Sequence, residues 1–183
     1  MEKFPPDIEL DEFLLTAIKP HHASAMFELR TNEAAMKFIN KAKPVSIDEV
    51  MAMIRGMQQE FHMNRTKAWG IIHKPDGRLI GTIGYYRMLP EHFRGEIGYM
   101  LHPDFWGKGI MRKLIDVVIK HGFEEMGLHS IEARINPAND NSRKILERSG
   151  FVREGYFKES FFFDGQFLDT EIFGLLKKTK DGN

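Results

Sequence analysis

The sequence of 183 residues contains no cysteine. It therefore has no disulfide, no thiolate ligand for zinc and no cysteine that could carry an acyl group covalently. It also lacks a charge excess, since 26 lysines and arginines balance 26 aspartates and glutamates. Proteins that bind nucleic acid generally carry a basic excess, so we expect no direct contact with nucleic acid.

Long apolar runs are missing as well. No stretch approaches the roughly 20 apolar residues that cross a bilayer, and the opening MEKFPPDIELDEF is acidic, without the apolar segment of a signal peptide. We therefore expect a cytoplasmic protein without a membrane partner. The eight histidines show no metal-ligand spacing. There is no HExxH, and His21 and His22 are adjacent rather than on one helical face, so no metal is predicted.

The composition that is present, 42% apolar and 28% charged, is typical of one soluble domain. Periodicity and turn residues predict these elements: a strand over 9–20, helices over 23–39 and 46–62, a hairpin over 67–88, a strand over 94–103, a helix over 110–126, a strand over 129–135, a helix over 139–151 and a hairpin turning at 164–165. The order predicts a mixed α/β sheet in one domain. The two helical crossovers imply parallel strands beside them.

The stretch DFWGKGIMRKLIDVV joins a glycine-rich turn to a helical pattern. Gly107 and Gly109 precede a helix that should begin near Ile110, where the first N–H groups are unpaired and the helix dipole is positive. Glycine lets a ligand approach the backbone closely, and Lys108 and Arg112 add positive charge, so the turn is suited to a phosphate or pyrophosphate. It is neither a Walker A loop nor a Rossmann fingerprint. The alternative is a tight strand-to-helix turn with no ligand.

A second segment, INPANDNSRKILERSGF, follows one strand later. Considered alone, the polar residues of this segment have local structural roles. Asn136 favours a turn, Asn139 is typical of a helix N-cap, and Ser142 is a first-turn serine that caps backbone N–H groups.

The two motifs together resemble the Gcn5-related N-acetyltransferase (GNAT) superfamily, and within it the RimJ/RimL group of protein N-terminal acetyltransferases. The resemblance rests on EIGYMLHPDFWGKGIM, IEARINPANDNSRKILERSGF, EGYFKESFFFDGQF and LLTAIKPHHASAMFELRTNEAAMKFI, and it covers residues 10–178 of a single domain over 1–183. It implies an α/β fold with a mostly antiparallel, twisted sheet that splays at the cofactor site between flanking helices.

The turn departs from the superfamily pattern Q/R-x-x-G-x-G/A at two positions. Trp106 stands first, as is common in the RimJ/RimL group, and Met111 stands last, where its bulk could narrow the pyrophosphate pocket. The cofactor that the resemblance implies is acetyl-coenzyme A, with no metal. The residues implied to bind it are Tyr99, Met100, Leu101, Trp106, Gly107, Lys108, Gly109, Ile110, Met111, Arg112, Asn136, Asn139 and Ser142.

The resemblance also implies three catalytic roles. Glu96 would take the proton from the attacking amine through water, the Met100 amide would polarise the thioester carbonyl, and Ser142 would protonate the leaving thiolate. A solvent-facing or ion-paired strand glutamate is the alternative for Glu96, and a capping serine for Ser142. Because a thiol has an ordinary pKa of about 8.5, loss of Ser142 should cost less than loss of the base.

The implied partner is an amine acceptor, most readily a ribosomal or other protein N-terminus. An α-amine, with an ordinary pKa of about 7.7–8.0, loses its proton more easily than a lysine near about 10.4. The acidic closing hairpin, which includes Glu159 as a second candidate base, suits a cationic substrate unless its acids merely face solvent. Three alternatives stay open: a small-amine acetyltransferase of the polyamine or aminoglycoside type, a non-catalytic acyl-coenzyme A sensor, and a nucleotide-phosphate binder. A homodimer is compatible with each.

Overall fold

The computed structural model describes residues 5–178. Short 3₁₀ helices at Pro20–His22, Pro90–His92 and Pro103–Phe105 lie between longer elements. The strands and α-helices, in chain order, are β1 Ile8–Leu10, β2 Phe13–Thr16, α1 Ala23–Thr31, α2 Glu33–Met36, α3 Ile47–His62, β3 Lys67–His73, β4 Arg78–Leu89, β5 Arg94–Leu101, α4 Ile110–Glu124, β6 Ser130–Ile135, α5 Asp140–Arg148, β7 Val152–Phe163 and β8 Gln166–Leu176.

The strands form one sheet in the order β1-β2-β3-β4-β5-β6-β8-β7. Every neighbouring pair is antiparallel except β5 and β6. These two are parallel because α4 carries the chain from the end of β5 back to the start of β6. The predicted α/β fold with a mostly antiparallel sheet is confirmed.

β5 and β6 separate at one end. Their pairing begins at Arg94–Ser130 and stops at Ile97–Ala133, although β5 continues to Leu101. On its other edge β5 stays paired with β4 as far as Leu101, and β6 stays paired with β8 to its last residue. The sheet therefore opens into a gap beside residues 98–101, and the chain leaves this end of β5 for the start of α4.

A hydrophobic core lies on each face of the sheet, because strand residues alternate between faces. Ile97 of β5 packs with Leu114 of α4 in one core. Met100 of β5 packs with Met26 of α1 and other residues from α1 and α3 in the second core. Glu96 precedes Ile97 by one residue, so it shares the face of Met100, which is the face that α1 and α3 cover.

Two predicted elements are interrupted. The strand predicted over 9–20 is divided into β1 and β2 by a tight turn at Asp11, where φ is 43°. The helix predicted over 23–39 is broken at Asn32, whose backbone is extended and whose side chain accepts the N–H of Ala35 to cap α2. Apolar spacing does not reveal either break, because the segments on both sides bury the same face.

The second predicted crossover gives no parallel neighbours. α5 leads from β6 to β7, but β8 lies between these two strands and is antiparallel to both. The prediction was wrong because the closing hairpin folds back into the sheet. No helix within the described range is long and apolar enough to cross a membrane.

Candidate active site

The glycine turn presents an open row of backbone donors. Gly107 and Gly109 have φ of 74° and 72°, a region that residues with a side chain rarely adopt. A Cβ built at either position meets no atom within 4 Å. The N–H groups of residues 107–112 have no acceptor in the described chain. Free donors at the positive end of the 15-residue helix α4 are suited to a pyrophosphate.

The charged side chains of the turn make only surface contacts. Lys108 Nζ donates to the backbone oxygen of Asp104 at 2.9 Å. Arg112 lies 3.8 Å from Asp116 in a half-exposed ion pair. Surface pairs of this kind contribute at most about 1 kcal/mol, so both cations can reorient toward a phosphate.

The two departures from the superfamily pattern have separate structural reasons. Met111 is 7% exposed and packs in the core beside α4, so its side chain does not narrow the turn, contrary to expectation. Ile110 is buried in the same core, and each offers the turn only its backbone N–H. Trp106 donates from Nε1 to the Leu101 carbonyl at 2.8 Å, which joins the turn to the end of β5.

Backbone direction along β5 decides which groups face the gap. His102 donates its N–H across to β4 at 2.7 Å, whereas the Leu101 carbonyl points the other way, to Trp106. Because successive residues alternate, Tyr99 and Leu101 direct their N–H groups to the gap, and Met100 directs its own to β4. The Met100 amide, predicted to polarise the thioester, therefore lies on the paired side of the strand.

Ser142 and Tyr99 form a hydrogen-bonded pair between α5 and β5. Ser142 Oγ lies 2.6 Å from Tyr99 Oη, and Ser142 is only 7% exposed. Burial raises the pKa of Tyr99 to about 12, against the opposing effect of its hydrogen bond with Ser142. The Tyr99 hydroxyl thus keeps its proton at neutral pH. It can donate that proton in the hydrogen bond to Ser142, so that Ser142 can direct its own proton elsewhere.

Asn136 and Asn139 perform the local roles that their residue types favour. Asn136 Oδ1 accepts the N–H of Ala138 at 2.9 Å, and Asn139 Oδ1 accepts the N–H of Ser142 at 3.1 Å. Both amide NH₂ groups have no acceptor within residues 5–178. Each asparagine can therefore donate to a ligand without giving up its turn or cap.

Arg143 holds this loop in place. Its guanidinium donates to the buried Glu171 at 3.0 Å. It also donates at 2.5 Å to Asp140 and to the Pro137 carbonyl. These bonds tie the first turn of α5 and the loop before it to β8, and so position Ser142.

Glu96 lies on the α1 face of β5 with its side chain 28% exposed. Its Oε2 is 3.5 Å from Nε of Arg134, and Arg134 also donates to Glu132 at 2.6 Å. Burial raises the pKa of Glu96, and the positive charge of Arg134 opposes that rise. A partly buried carboxylate with a raised pKa beside a gap is suited to accepting a proton.

The acids of the closing hairpin are partly used within the chain. Buried Glu171 also pairs with Arg153 at 3.3 Å, and Asp169 accepts the backbone N–H of Glu159 at 2.7 Å. Glu159 is exposed, with φ of 51°, where β7 loses register with β8. The acidic excess therefore gives less support to a cationic substrate than the sequence indicated.

Three side chains were not singled out from the sequence. The Tyr99 hydroxyl and the Arg134 guanidinium lie beside the gap, and Arg30 is buried in α1. Arg134 could be anticipated only from the β5–β6 register, which places Glu96 opposite Glu132. Within the described residues, no group of three His, Cys, Asp or Glu is placed to hold a metal ion.

The family of this chain is shown by comparison with known protein families. The profile of the acetyltransferase (GNAT) domain family matches residues 12–152. The chain belongs to this family. The predicted class of enzyme, an N-acetyltransferase, is confirmed.

Three proteins similar to this chain differ in their sequence identity to it and in the share of the chain that they match. Over 94% of this chain and 97% of the relative, the sequence is 30% identical to the uncharacterized N-acetyltransferase YoaA of Bacillus subtilis. Over 45% of each chain it is 30% identical to the ribosomal-protein-serine acetyltransferase of Escherichia coli. The solved structure of RimL, a ribosomal L7/L12 α-N-protein acetyltransferase in complex with coenzyme A, matches with a TM-score of 0.86 at 19% identity, over 93% of this chain and 98% of RimL. The resemblance to the RimJ/RimL group is confirmed at the level of family and fold.

Proposed function

We propose that this GNAT-family protein transfers an acetyl group from acetyl-coenzyme A directly to the α-amine of a protein N-terminus. The observation that carries the proposal is the gap beside residues 98–101 of β5, which leads to the free N–H groups of residues 107–112. No cysteine is present to hold an acyl group, so both substrates bind together.

The described residues suit the pyrophosphate and the pantetheine arm of the cofactor. The N–H groups of 107–112 would hold the pyrophosphate, with Lys108 and Arg112 beside it. The end of β5 adjoins this turn through the Trp106–Leu101 bond, so the pantetheine arm would run along β5 into the gap. The free amides of Asn136 and Asn139 would donate to the arm from its other side.

The backbone of β5 would orient the thioester. Leu101 lies nearer the pyrophosphate turn, so its N–H would bind the pantetheine arm. Tyr99 lies deeper in the gap, and its N–H would donate to the thioester carbonyl, where negative charge develops. This assignment replaces Met100, whose N–H is directed to β4.

The two proton-transfer groups lie on opposite faces of the sheet. Glu96 would accept the proton of the amine, through water, on the α1 face. Ser142 would donate a proton to the leaving sulfur on the α5 face, with Tyr99 as its hydrogen-bond partner. The amine therefore enters from one face and the thiol leaves toward the other.

A protein N-terminus is the proposed acceptor for two reasons. An α-amine is easier to deprotonate at neutral pH than a lysine side chain. Relatives such as the ribosomal-protein-serine acetyltransferase are named for protein substrates. A polyamine or another small amine is the second candidate. The homodimer and the cytoplasmic location stay predictions.

The deciding experiment incubates the protein with acetyl-coenzyme A and, separately, an eight-residue peptide with a free α-amine, the same peptide with that amine blocked, and spermidine. We expect a mass gain of one acetyl group on the free peptide only. Acetylation of spermidine alone would replace the protein acceptor by a small amine. Tight calorimetric binding of acetyl-coenzyme A without any turnover would indicate a sensor, and binding of ATP instead would indicate a nucleotide site.

A further inference from the structure

Arg30 is an unpaired, buried cation beside the proposed acceptor side of the sheet. It lies in the last turn of α1 and is only 7% exposed. Its Nε is buried without a hydrogen-bond partner, and no carboxylate in the described chain forms an ion pair with its guanidinium. Burying an arginine without an anion is costly, so a structural role in the free protein does not explain it.

The surroundings of Arg30 connect it to the catalytic face of β5. α1 packs on the same face of the sheet as Met100 of β5. Burial raises the pKa of the Tyr86 hydroxyl on β4, and the positive charge of Arg30 opposes that rise. Tyr86 is the extra residue at the bulge of β4 opposite Glu96. The Tyr86 ring lies across Gly98, where a Cβ would come within 2.9 Å of the ring. Gly98 shares its face with Glu96, so Arg30 and Glu96 border the same region.

Lys41 completes this region. Partial desolvation, and next the positive charge of Arg30, lower the pKa of the Lys41 ammonium, whereas the charge of Glu96 raises it. The charges of Arg30 and Glu96 therefore both influence Lys41. The Glu96 carboxylate lies 3.5 Å from Arg134, and among the described residues no ion pair joins it to Arg30. The guanidinium of Arg30 therefore has no anionic partner within the described chain and can accept one from a ligand.

We propose that Arg30, with Lys41, binds a carboxylate side chain at the second residue of the acceptor N-terminus. The proposal rests on the proposed N-terminal acetylation and names its substrate class. A planar guanidinium recognises a carboxylate through paired hydrogen bonds, which a single ammonium does not reproduce. An acceptor whose α-amine lies at Glu96 and whose second residue is Asp or Glu would supply the anion that Arg30 lacks.

The test measures kcat/KM on three peptides that differ only at position 2, which is Glu, Gln or Lys. The variants are Arg30→Met, Arg30→Lys and, as a matched control, Arg55→Met on the exposed face of α3. We expect wild type to prefer the Glu peptide over the Gln peptide by about 10- to 100-fold, the range of a hydrogen-bonded charge pair. Arg30→Met should abolish this ratio, Arg30→Lys should retain part of it, and Arg55→Met should leave it unchanged.

Thermal melting separates recognition from a structural role. Removing an unpaired buried charge should leave the Tm of Arg30→Met equal to or above that of wild type. Equal rates on all three peptides would overturn the carboxylate site alone. So would an Arg30→Met variant that loses activity equally on every peptide, or one that changes only the KM for acetyl-coenzyme A. No acetylation of any peptide, with acetyl-coenzyme A still bound, would overturn the N-terminal acceptor and this inference with it.

Discussion

At the scale of single residues, the proposed chemistry depends on how the charge of Arg134 affects the pKa of Glu96. Arg134 lies 3.5 Å from Glu96 and also bonds Glu132. It opposes the rise in the pKa of Glu96 that burial causes. If Glu96 is the base, Arg134 therefore influences the pH at which it ionises. The pairing could not be read from the sequence, because Arg134 and Glu96 lie on different strands.

The raised pKa of Glu96 predicts a shift in the dependence of kcat/KM on pH. Only the carboxylate form of Glu96 accepts a proton, so kcat/KM should fall as the pH drops through its pKa, at a higher pH than for an ordinary glutamate. Arg134→Met removes the charge that lowers this pKa, so the acid limb should move to still higher pH. Arg148→Met, on the exposed end of α5, should leave the limb in place.

The same profile tests Glu96 directly. Glu96→Gln should lower kcat by about 10²- to 10⁴-fold, the range of general base catalysis, and abolish the acid limb. Calorimetric affinity for acetyl-coenzyme A should change little, because the carboxylate lies on the face of β5 that is proposed to receive the amine. A large loss of cofactor affinity, or an acid limb that survives in Glu96→Gln, would contradict the base assignment.

The hydroxyl pair of Tyr99 and Ser142 predicts energetic coupling. Ser142→Ala and Tyr99→Phe should each lower kcat, and the double variant should lose less than the sum of the two losses, because both changes break one 2.6 Å bond. Ser142→Ala should cost less than Glu96→Gln, since a thiolate is a tolerable leaving group. Tyr85→Phe is the control, because it removes a buried hydroxyl bonded to the Val118 carbonyl instead. Additive losses at Tyr99 and Ser142 would mean that the two hydroxyls act separately.

At the scale of elements, α4 provides the proposed phosphate site through its start. Gly109 and Gly77 offer a matched comparison, because φ is 72° and 67° and neither position has an atom within 4 Å of a built Cβ. Gly109→Asp and Gly77→Asp should therefore cause similar, small losses in Tm. Only Gly109→Asp places a negative charge at the helix start, so it alone should weaken acetyl-coenzyme A binding, by about tenfold or more.

The outcome is read by calorimetry for both variants. Equal affinities of Gly109→Asp and Gly77→Asp for acetyl-coenzyme A would contradict binding of the pyrophosphate at the start of α4. Loss of affinity in both would indicate a general effect on folding rather than a local charge.

The elements also show why sequence patterns predict some features and not others. The N-caps at Ser46 and Asn139 were identifiable because a single side chain accepts a nearby N–H. The break at Asn32 was not, because the same type of cap here interrupts a continuous apolar stripe. Local rules find where a helix starts, but they do not show that a second helix starts inside the first.

At the scale of the whole molecule, the pairing of distant strands decides what the motifs can do. The glycine turn, the asparagines and Ser142 were predicted from short segments. The gap was expected only from the resemblance, since the β5–β6 register stops at Ile97 for no reason visible in either strand. The pairs Arg134–Glu96 and Arg143–Glu171 join segments that only the folded sheet brings together, and the same holds for the direction of the Met100 amide.

Bound as proposed, acetyl-coenzyme A would connect the two parts of the sheet on either side of the gap. β5 and β6 are joined only from Arg94–Ser130 to Ile97–Ala133, so a ligand held by both sides should tighten the junction. At a concentration of about 100 Kd, ligand linkage contributes about 2.7 kcal/mol, which corresponds to a rise in Tm of about 5–10 °C for a domain of this size.

Hydrogen exchange shows which backbone N–H groups the bound cofactor protects. On adding acetyl-coenzyme A, peptides that contain the Tyr99 and Leu101 amides and residues 107–112 should exchange more slowly, because free N–H groups gain acceptors. Peptides over the β3–β4 turn at Gly77 should not change. Slowing confined to 107–112, with β5 unaffected, would leave the pyrophosphate at α4 but remove the pantetheine arm from the gap. The Tyr99 amide would then no longer serve as donor to the thioester.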